Sequence, residues 1–397
     1  MYWMFDGLNQ SLVTATTVPT ASVNIRVGLA SFHLEYQLSG ESESVRNLAA
    51  LLGRVGVAVT PVGFDAVPTS DHSNERIYGK ARSTFSIAAT IADVAKDVDL
   101  IHLCLPTPAL GWIVDRVTRN IDKPLIVRFD SQWIDGSAAQ WLRWCCSEPL
   151  FYLPRLLINN SVAARLTRCP AAAYVVSTDY QAAQLRRVGY PEDRVHVIPN
   201  AIDDERFRRQ PETVCRPELP PSPVIAYIGH LFHVKGVAAL LRAMTAHPDL
   251  NLVIADSGLG NKAAVQWHVR KLGISDRVRF LGRVDVPGLL RAVDALVLPY
   301  RAGFGTVVFP NLLLEAIAVG VPVVSSDVPV VRELFGSSAA VVLAEPEDSD
   351  SLAVAIGRAL ASDRGAVSAA QMQLFAELQP RQLAARTVEL YEDVLNG

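Results

Sequence analysis

The sequence predicts an α/β protein in which two doubly wound parallel sheets face each other across a cleft. Three observations predict it. At 397 residues the chain exceeds what a single core usually serves. From residue 23 onward, short β-rich runs alternate with helical stretches, the pattern of βαβ units. The alternation breaks at 199–223, "PNAIDDERFRRQPETVCRPELPPSP", a run rich in proline and charge, and then restarts. The expected organisation is a disordered extension over 1–21, a first domain over 22–198, a linker over 199–223 and a second domain over 224–379. A closing helix over 380–397 is expected to pack back onto the first half.

Taken in order, "VNIRVGLASF" reads as a strand, and "SGESESVRNLAALLGRVG" as a loop leading into an amphipathic helix. "VAVTPVGF", "VDLIHLCLP", "KPLIVRFD" and "AAYVVST" continue the first sheet. After the linker, "VIAYIGH", "NLVIADSG", "RVRFLGRV", "ALVLPY" and "VPVVSSD" build the second. In open parallel sheets ligands bind beyond the carboxyl ends of the strands, so both sets of strand-end loops should border the cleft.

Composition narrows the function classes. Half the residues are hydrophobic and 19% are charged, which suits a packed globular chain. A formal net charge of −3 argues against general affinity for nucleic acid or anionic membranes. Five cysteines, an odd number without CxxC spacing, read as reduced thiols rather than disulfides or a zinc site, and the Cys145–Cys146 pair as packing. The first twenty-one residues lack the basic start of a signal peptide, and no apolar run is long enough to cross a membrane. A cytoplasmic location is expected.

Chemistry concentrates at a few strand ends. In "YIGHLFHVKGVAALLRAM", Lys235 follows a strand and opens a helix, where backbone N–H groups and a lysine together suit phosphate. Gly229 and Gly236 tighten the loop, His230 is a second donor, and His233 reads as an exposed loop residue. In "GFGTVVFPNLLLEAIAVG", Pro310 and Asn311 open an apolar helix that ends at Gly320 and carries one carboxylate, Glu315. A carboxylate accepts two hydrogen bonds well from vicinal hydroxyls, as on a ribose edge. The Gly–Arg turn in "RFLGRVD" offers backbone to a base edge, and "LSGESES" would approach a diphosphate from the opposite wall. His102 and Cys104 share one face near a strand end. By residue chemistry alone His102 suits a base, a donor to substrate or a satisfied core group, with the core reading preferred.

These segments together resemble the retaining nucleotide-sugar glycosyltransferases of family 4, which have the GT-B fold of two Rossmann-like domains. "VHVIPNAIDDERF", "YIGHLFHVKG", "RVRFLGRVDVPGLLRAVDALVLP" and "LLLEAIAVGVPVVSSDVPVVREL" carry the resemblance, in the family's order and spacing. It implies an acceptor-binding first domain and a donor-binding second domain. Lys235 matches the lysine on the donor diphosphate, and Glu315 the ribose carboxylate. These two and His230 form the implied catalytic set. The implied donor contacts are Gly40, Gly229, His230, Lys235, Arg283, Val284, Thr306, Pro310, Asn311, Leu312 and Glu315; the implied acceptor contacts are His102, Cys104 and Asp130. The chain departs from the pattern at His230, normally arginine, at Val307, normally a sugar-reading glutamate, at Cys104, normally a second histidine, and at Ala201, normally glycine.

The resemblance implies sugar transfer with retention from a nucleoside diphosphate to a small-molecule, glycan or lipid-linked acceptor, with the leaving phosphate helping to take the acceptor proton. No Asp-x-Asp motif is evident, so no metal and no cofactor besides the donor are expected. The expected state is monomer or homodimer. The aromatic block "WIDGSAAQWLRWCCSEPLFYLPRLL" reads as an acceptor pocket, a peripheral membrane contact or ordinary helix packing. The competing readings are a nucleotide-binding subunit without transfer activity, a GT-B epimerase and a dehydrogenase, the last lacking its G-x-G-x-x-G.

Overall fold

The computed structural model describes residues 24–31, 40–63, 84–105, 111–130, 138–147, 149, 152–153, 170–200, 219–303, 311–336 and 338–397. The expected extension over 1–21, most of the expected linker, and Thr306, Val307 and Pro310 lie outside them.

The first half contains β1 (Arg26–Ser31), α1 (Gly40–Arg54), β2 (Ala58–Gly63), α2 (Thr84–Val94), β3 (Leu100–Leu105), α3 (Gly111–Thr118), β4 (Leu125–Phe129), α4 (Ala138–Ser147), β5 (Ala173–Val176), α5 (Asp179–Arg187) and β6 (Val195–Val197). The second contains β7 (Val224–Leu231), α6 (Val237–Ala243), β8 (Asn251–Gly260), α7 (Lys262–Lys271), β9 (Val278–Phe280), α8 (Val286–Ala292), β10 (Ala295–Leu298), α9 (Asn311–Val319), β11 (Val323–Ser326), α10 (Pro329–Phe335), β12 (Val341–Ala344), α11 (Ser349–Ala361), α12 (Arg364–Glu377) and α13 (Pro380–Asn396).

Each half is a six-stranded sheet, ordered β2-β1-β3-β4-β5-β6 and β12-β11-β10-β7-β8-β9. The strand pairings within both are parallel. Parallel strands are covered on both faces, which is why β3, β4 and β10 are buried at every position. Pro61 falls in β2, an edge strand where its missing N–H costs no ladder bond. Strand order reverses between β1 and β3 in one sheet and between β7 and β10 in the other, and such switch points open the crevices where ligands sit. Two short strands, β6 and β12, went unread in the sequence.

The closing helix α13 lies on the first sheet. Val388, Leu390 and Tyr391 join Val27, Leu52 and Leu100 in one core cluster, and Leu383 and Ala384 pack on Leu51. The halves also meet through polar and aromatic contacts. The Glu333 carboxylate on α10 accepts from Asp179 N at 2.7 Å and Tyr180 N at 2.9 Å, capping the free N–H groups that open α5. Trp141, Trp144 and Tyr152 of the first half bury with Val234 of the second, against Phe232 and Ala302. Of the three readings of the aromatic block, its described rings follow ordinary packing: Trp141, Trp144 and Tyr152 pack between the halves, while Leu142 and Leu153 are exposed. Among the described residues no helix is long and apolar enough to cross a membrane. The described cysteines Cys104, Cys145 and Cys146 form no disulfide.

Candidate active site

The loop after β7 is shaped by two glycines with positive φ. Gly229, at φ 148°, ends the straight run of the strand. Gly236, at φ 74°, lets the chain turn into α6 while touching β10's end; a Cβ there would lie 1.6 Å from Pro299 O. Between them a 3₁₀ turn, His233–Lys235, holds Lys235 beside the switch point of the second sheet.

Lys235 is 8% exposed. Its Nζ lies 5.2 Å from the centroid of the Tyr300 ring. Among the described residues no carboxylate pairs with it, and burial alone pushes its pKa down to about 8. A buried ammonium without a counter-charge is costly and becomes favourable when an anion arrives. Burial likewise raises the Tyr300 phenol, which keeps the neighbouring ring neutral.

His230 is half-buried, and burial first, then the Lys235 charge, pushes its pKa down to about 4. It is a neutral imidazole at pH 7, with Nδ1 against Ser257 Oγ. The permanent positive charge of this loop therefore belongs to Lys235. His233 corrects the expectation of an exposed residue: it is half-buried under the Arg301 guanidinium and also drops to about 4, by burial first and then by Arg301.

Across the switch point, α9 begins at Asn311 and carries Glu315 one turn later, 7% exposed among Leu313, Leu314 and Ile317. Asn311 Nδ2 donates to Ser44 Oγ on α1 at 2.6 Å, and Asn311 Oδ1 accepts from Asn200 Nδ2 at 3.2 Å. Gly40 opens α1 on that same opposite wall. Leu312 and Val284 are partly buried against the core below α9, while Arg283 is exposed after the open turn at Gly282. Of the expected donor contacts, the structure gathers Gly229, His230, Lys235, Asn311, Leu312 and Glu315 at neighbouring strand ends. Arg283 and Val284 lie at the end of β9, two strands from β7.

The acceptor expectations need correction. His102 has no exposure; its Nδ1 lies 2.6 Å from Tyr391 Oη beneath α13, and burial first, then the Arg128 charge, pushes its pKa down to about 3. Cys104, also unexposed, packs with Leu29 and Val45. Asp130 is buried beside Arg128, whose Nε donates to it at 3.0 Å; burial raises its pKa and the guanidinium opposes the rise. Strand alternation puts His102 and Cys104 on the face that α1 and α13 cover, where both are fully buried.

The same region contains a polar chain that sequence reading missed. Arg128 donates to Asn200 Oδ1 and, at 3.0 Å, to Ser177 Oγ; Asn200 Nδ2 then donates to Ser44 Oγ at 3.1 Å. The chain Asp130–Arg128–Asn200–Ser44–Asn311 thus runs buried from the first sheet into the second half. Its readable signal is Arg128 and Asp130, two charges at i and i+2 closing an apolar strand. Among the described residues no cluster of three or more metal-ligating side chains occurs.

Two doubly wound sheets, with a buried lysine that has no carboxylate partner among the described residues and a helix carboxylate beside one switch point, define a two-domain α/β protein with a candidate ligand crevice there. Comparison with known proteins makes the class specific. Residues 39–206 match the family model Glycosyltransferase Family 4, and residues 216–373 match Glycosyl transferases group 1. The chain belongs to the glycosyltransferases of family 4 type, with the GT-B fold. It is 30% identical over 215 residues to the D-inositol 3-phosphate glycosyltransferase of Mycobacterium marinum, covering 51% of this chain and 45% of that one. It is 32% identical over 268 residues to glycogen synthase of Mycobacterium tuberculosis, covering 64% and 60%. The matched segments thus span roughly half of those relatives' length. In fold it matches sucrose-phosphate synthase from Thermosynechococcus elongatus with TM-score 0.72 and 21% identity, covering 94% of this chain and all of that one. It also matches Anabaena HepE in complex with UDP and glucose, with TM-score 0.66 and 17% identity over 93% of this chain and all of that one.

Proposed function

We propose that the protein transfers a glycosyl group from a nucleoside diphosphate sugar to an acceptor hydroxyl, in the cytoplasm, with retention and without an obligatory metal. The observation that carries the reading is Lys235, a buried ammonium with no carboxylate partner among the described residues, at the switch point of the second sheet. When the glycosidic bond breaks, charge grows on the leaving diphosphate. A preorganised cation stabilises that charge more than it stabilises the bound donor, which is what accelerates the step. Lys235 supplies the charge, and His230, neutral at pH 7, supplies a hydrogen bond. Glu315 accepts from the ribose hydroxyls and orients the donor. The leaving phosphate takes the acceptor proton, so no buried side chain such as His102 needs to act as base. The UDP and UDP-glucose held by Anabaena HepE, which shares the fold, support a donor of this class.

The test is a transfer and hydrolysis assay with a panel of nucleotide sugars, run with and without chelator, with the anomeric configuration of the product read by NMR. Turnover of one donor, unchanged by chelator and giving the donor's own anomer, is expected. Tight nucleotide binding without turnover of any donor would instead make the chain a nucleotide-binding subunit.

A further inference from the structure

A second cavity, of about 380 Å³, opens between α4 of the first half and α6 and α7 of the second. None of His230, Lys235, Asn311 or Glu315 lines it among the described residues. Its floor is small and apolar, made by Gly236, Ala238 and Ala239 along the start of α6, and its rim is cationic, with Arg143, Arg242 and Arg301. The one carboxylate on that rim, Glu347, is already engaged: Oε1 accepts from Arg301 Nε at 2.5 Å and Oε2 from Arg143 NH1 at 3.2 Å. Arg242 has no carboxylate partner among the described residues. Three guanidiniums thus face one carboxylate, a surplus of positive charge contributed by both halves of the molecule. The two imidazoles on the rim do not reduce it. His268 turns Nδ1 toward Ala264 O at 2.8 Å, and His233 is held neutral by burial first and then by Arg301, against the opposing pull of Glu347.

We propose that this cavity binds a phosphomonoester of a small polyol or sugar. Planar guanidiniums match phosphate oxygens two at a time, and a phosphomonoester dianion balances the surplus that Glu347 leaves. The volume lies within the range that small ligands occupy, and the apolar floor suits the carbon face of a sugar or polyol. Arg143 comes from α4 and Arg242 and Arg301 from the second half, so a bound ester ties the halves together next to the turn that carries Lys235.

The test is isothermal titration of the full chain with glycerol 3-phosphate and glucose 6-phosphate, with glycerol and glucose as uncharged controls. The esters bind and the controls do not. Arg143→Gln and Arg242→Gln, both exposed side chains whose loss leaves the fold intact, each weaken the esters about tenfold and together about a hundredfold, the worth of one charged hydrogen bond each. Nucleotide-sugar affinity stays as in the wild type in both. Lys235→Met gives the reverse pattern. Equal ester affinity in the wild type and the double variant overturns the proposal. So does ester binding that only Lys235→Met abolishes, because the esters would then occupy the diphosphate subsite, and so does the absence of ester binding at millimolar concentration. Two sources share this chemistry, an acceptor and an effector, and separating them rests on the transferase reading. With donor present, a glycosylated ester in the mass spectrum identifies an acceptor, and an unchanged ester with an altered transfer rate identifies an effector.

Discussion

Replacing Lys235 with methionine should weaken donor binding and at the same time stabilise the empty protein. The folded value of about 8 lies below the 10.5 of a free lysine, because burial penalises the ammonium. Each tenfold change in proton affinity is about 1.4 kcal/mol, so the penalty is on the order of 3 kcal/mol. Below pH 8 both the folded and unfolded chains are protonated, and the fold bears the whole penalty. Between 8 and 10.5 the unfolded chain holds more protons, so stability rises with pH through that window. Methionine keeps the packing and removes the charge, and at pH 7 it should recover up to that amount. A diphosphate supplies the missing counter-charge and returns the lysine to its protonated state. Donor binding therefore takes up about half a proton per molecule at pH 8 and nearly one at pH 9, and affinity falls about tenfold per pH unit above 8. Titration calorimetry in buffers of different ionisation enthalpy measures the uptake, and thermal denaturation of the empty protein measures the stability. Affinity that stays constant between pH 7 and 9, or a methionine variant that binds donor normally, refutes the argument.

Three further predictions follow from other residues. Glu315→Ala should leave the circular dichroism spectrum intact and weaken nucleotide-sugar binding by about tenfold to a hundredfold, the loss of one or two charged hydrogen bonds; unchanged binding removes the ribose role. His230→Arg should tighten nucleotide-sugar binding about tenfold at pH 7 by adding a permanent charge where the imidazole is neutral, and the gain should shrink in high salt. Tyr391→Phe should cost about 1–2 kcal/mol in denaturant unfolding, because His102 Nδ1 loses its partner in a dry core, while transfer continues; a large loss of transfer with normal stability would return His102 to the site.

Periodicity and order carried most of the fold. Long runs such as "VDLIHLCLP" and "KPLIVRFD" have no polar face and can only be strands buried on both sides, and α/β alternation then leaves few topologies. The loop that carries Lys235 was readable because its glycines are local requirements: Gly236 must take φ 74° and pass within a Cβ's reach of Pro299 O. Lys235 was readable from its place after a strand between two glycines, and Glu315 because its neighbours are apolar, which makes a single charge conspicuous.

His102 is the satisfied core group that residue chemistry favoured, and the acceptor contacts implied by the resemblance lie buried for a physical reason. Alternation along β3 puts His102 and Cys104 on one face but does not say what covers that face, and the answer is α13, from 289 residues further along the chain at Tyr391. The aromatic block around Trp141 likewise announced a buried surface without naming its partner, the loop at Val234. Local sequence thus determined most of the elements, the division into two α/β halves and the loop geometry, because propensity, turn geometry and hydrophobic period act over a few residues. Only the tertiary structure decided which charges lost water, which found partners and which stayed unpaired. Burial and pairing depend on segments that the chain brings together from far apart, and those two quantities set the protonation of Lys235, His230 and His102.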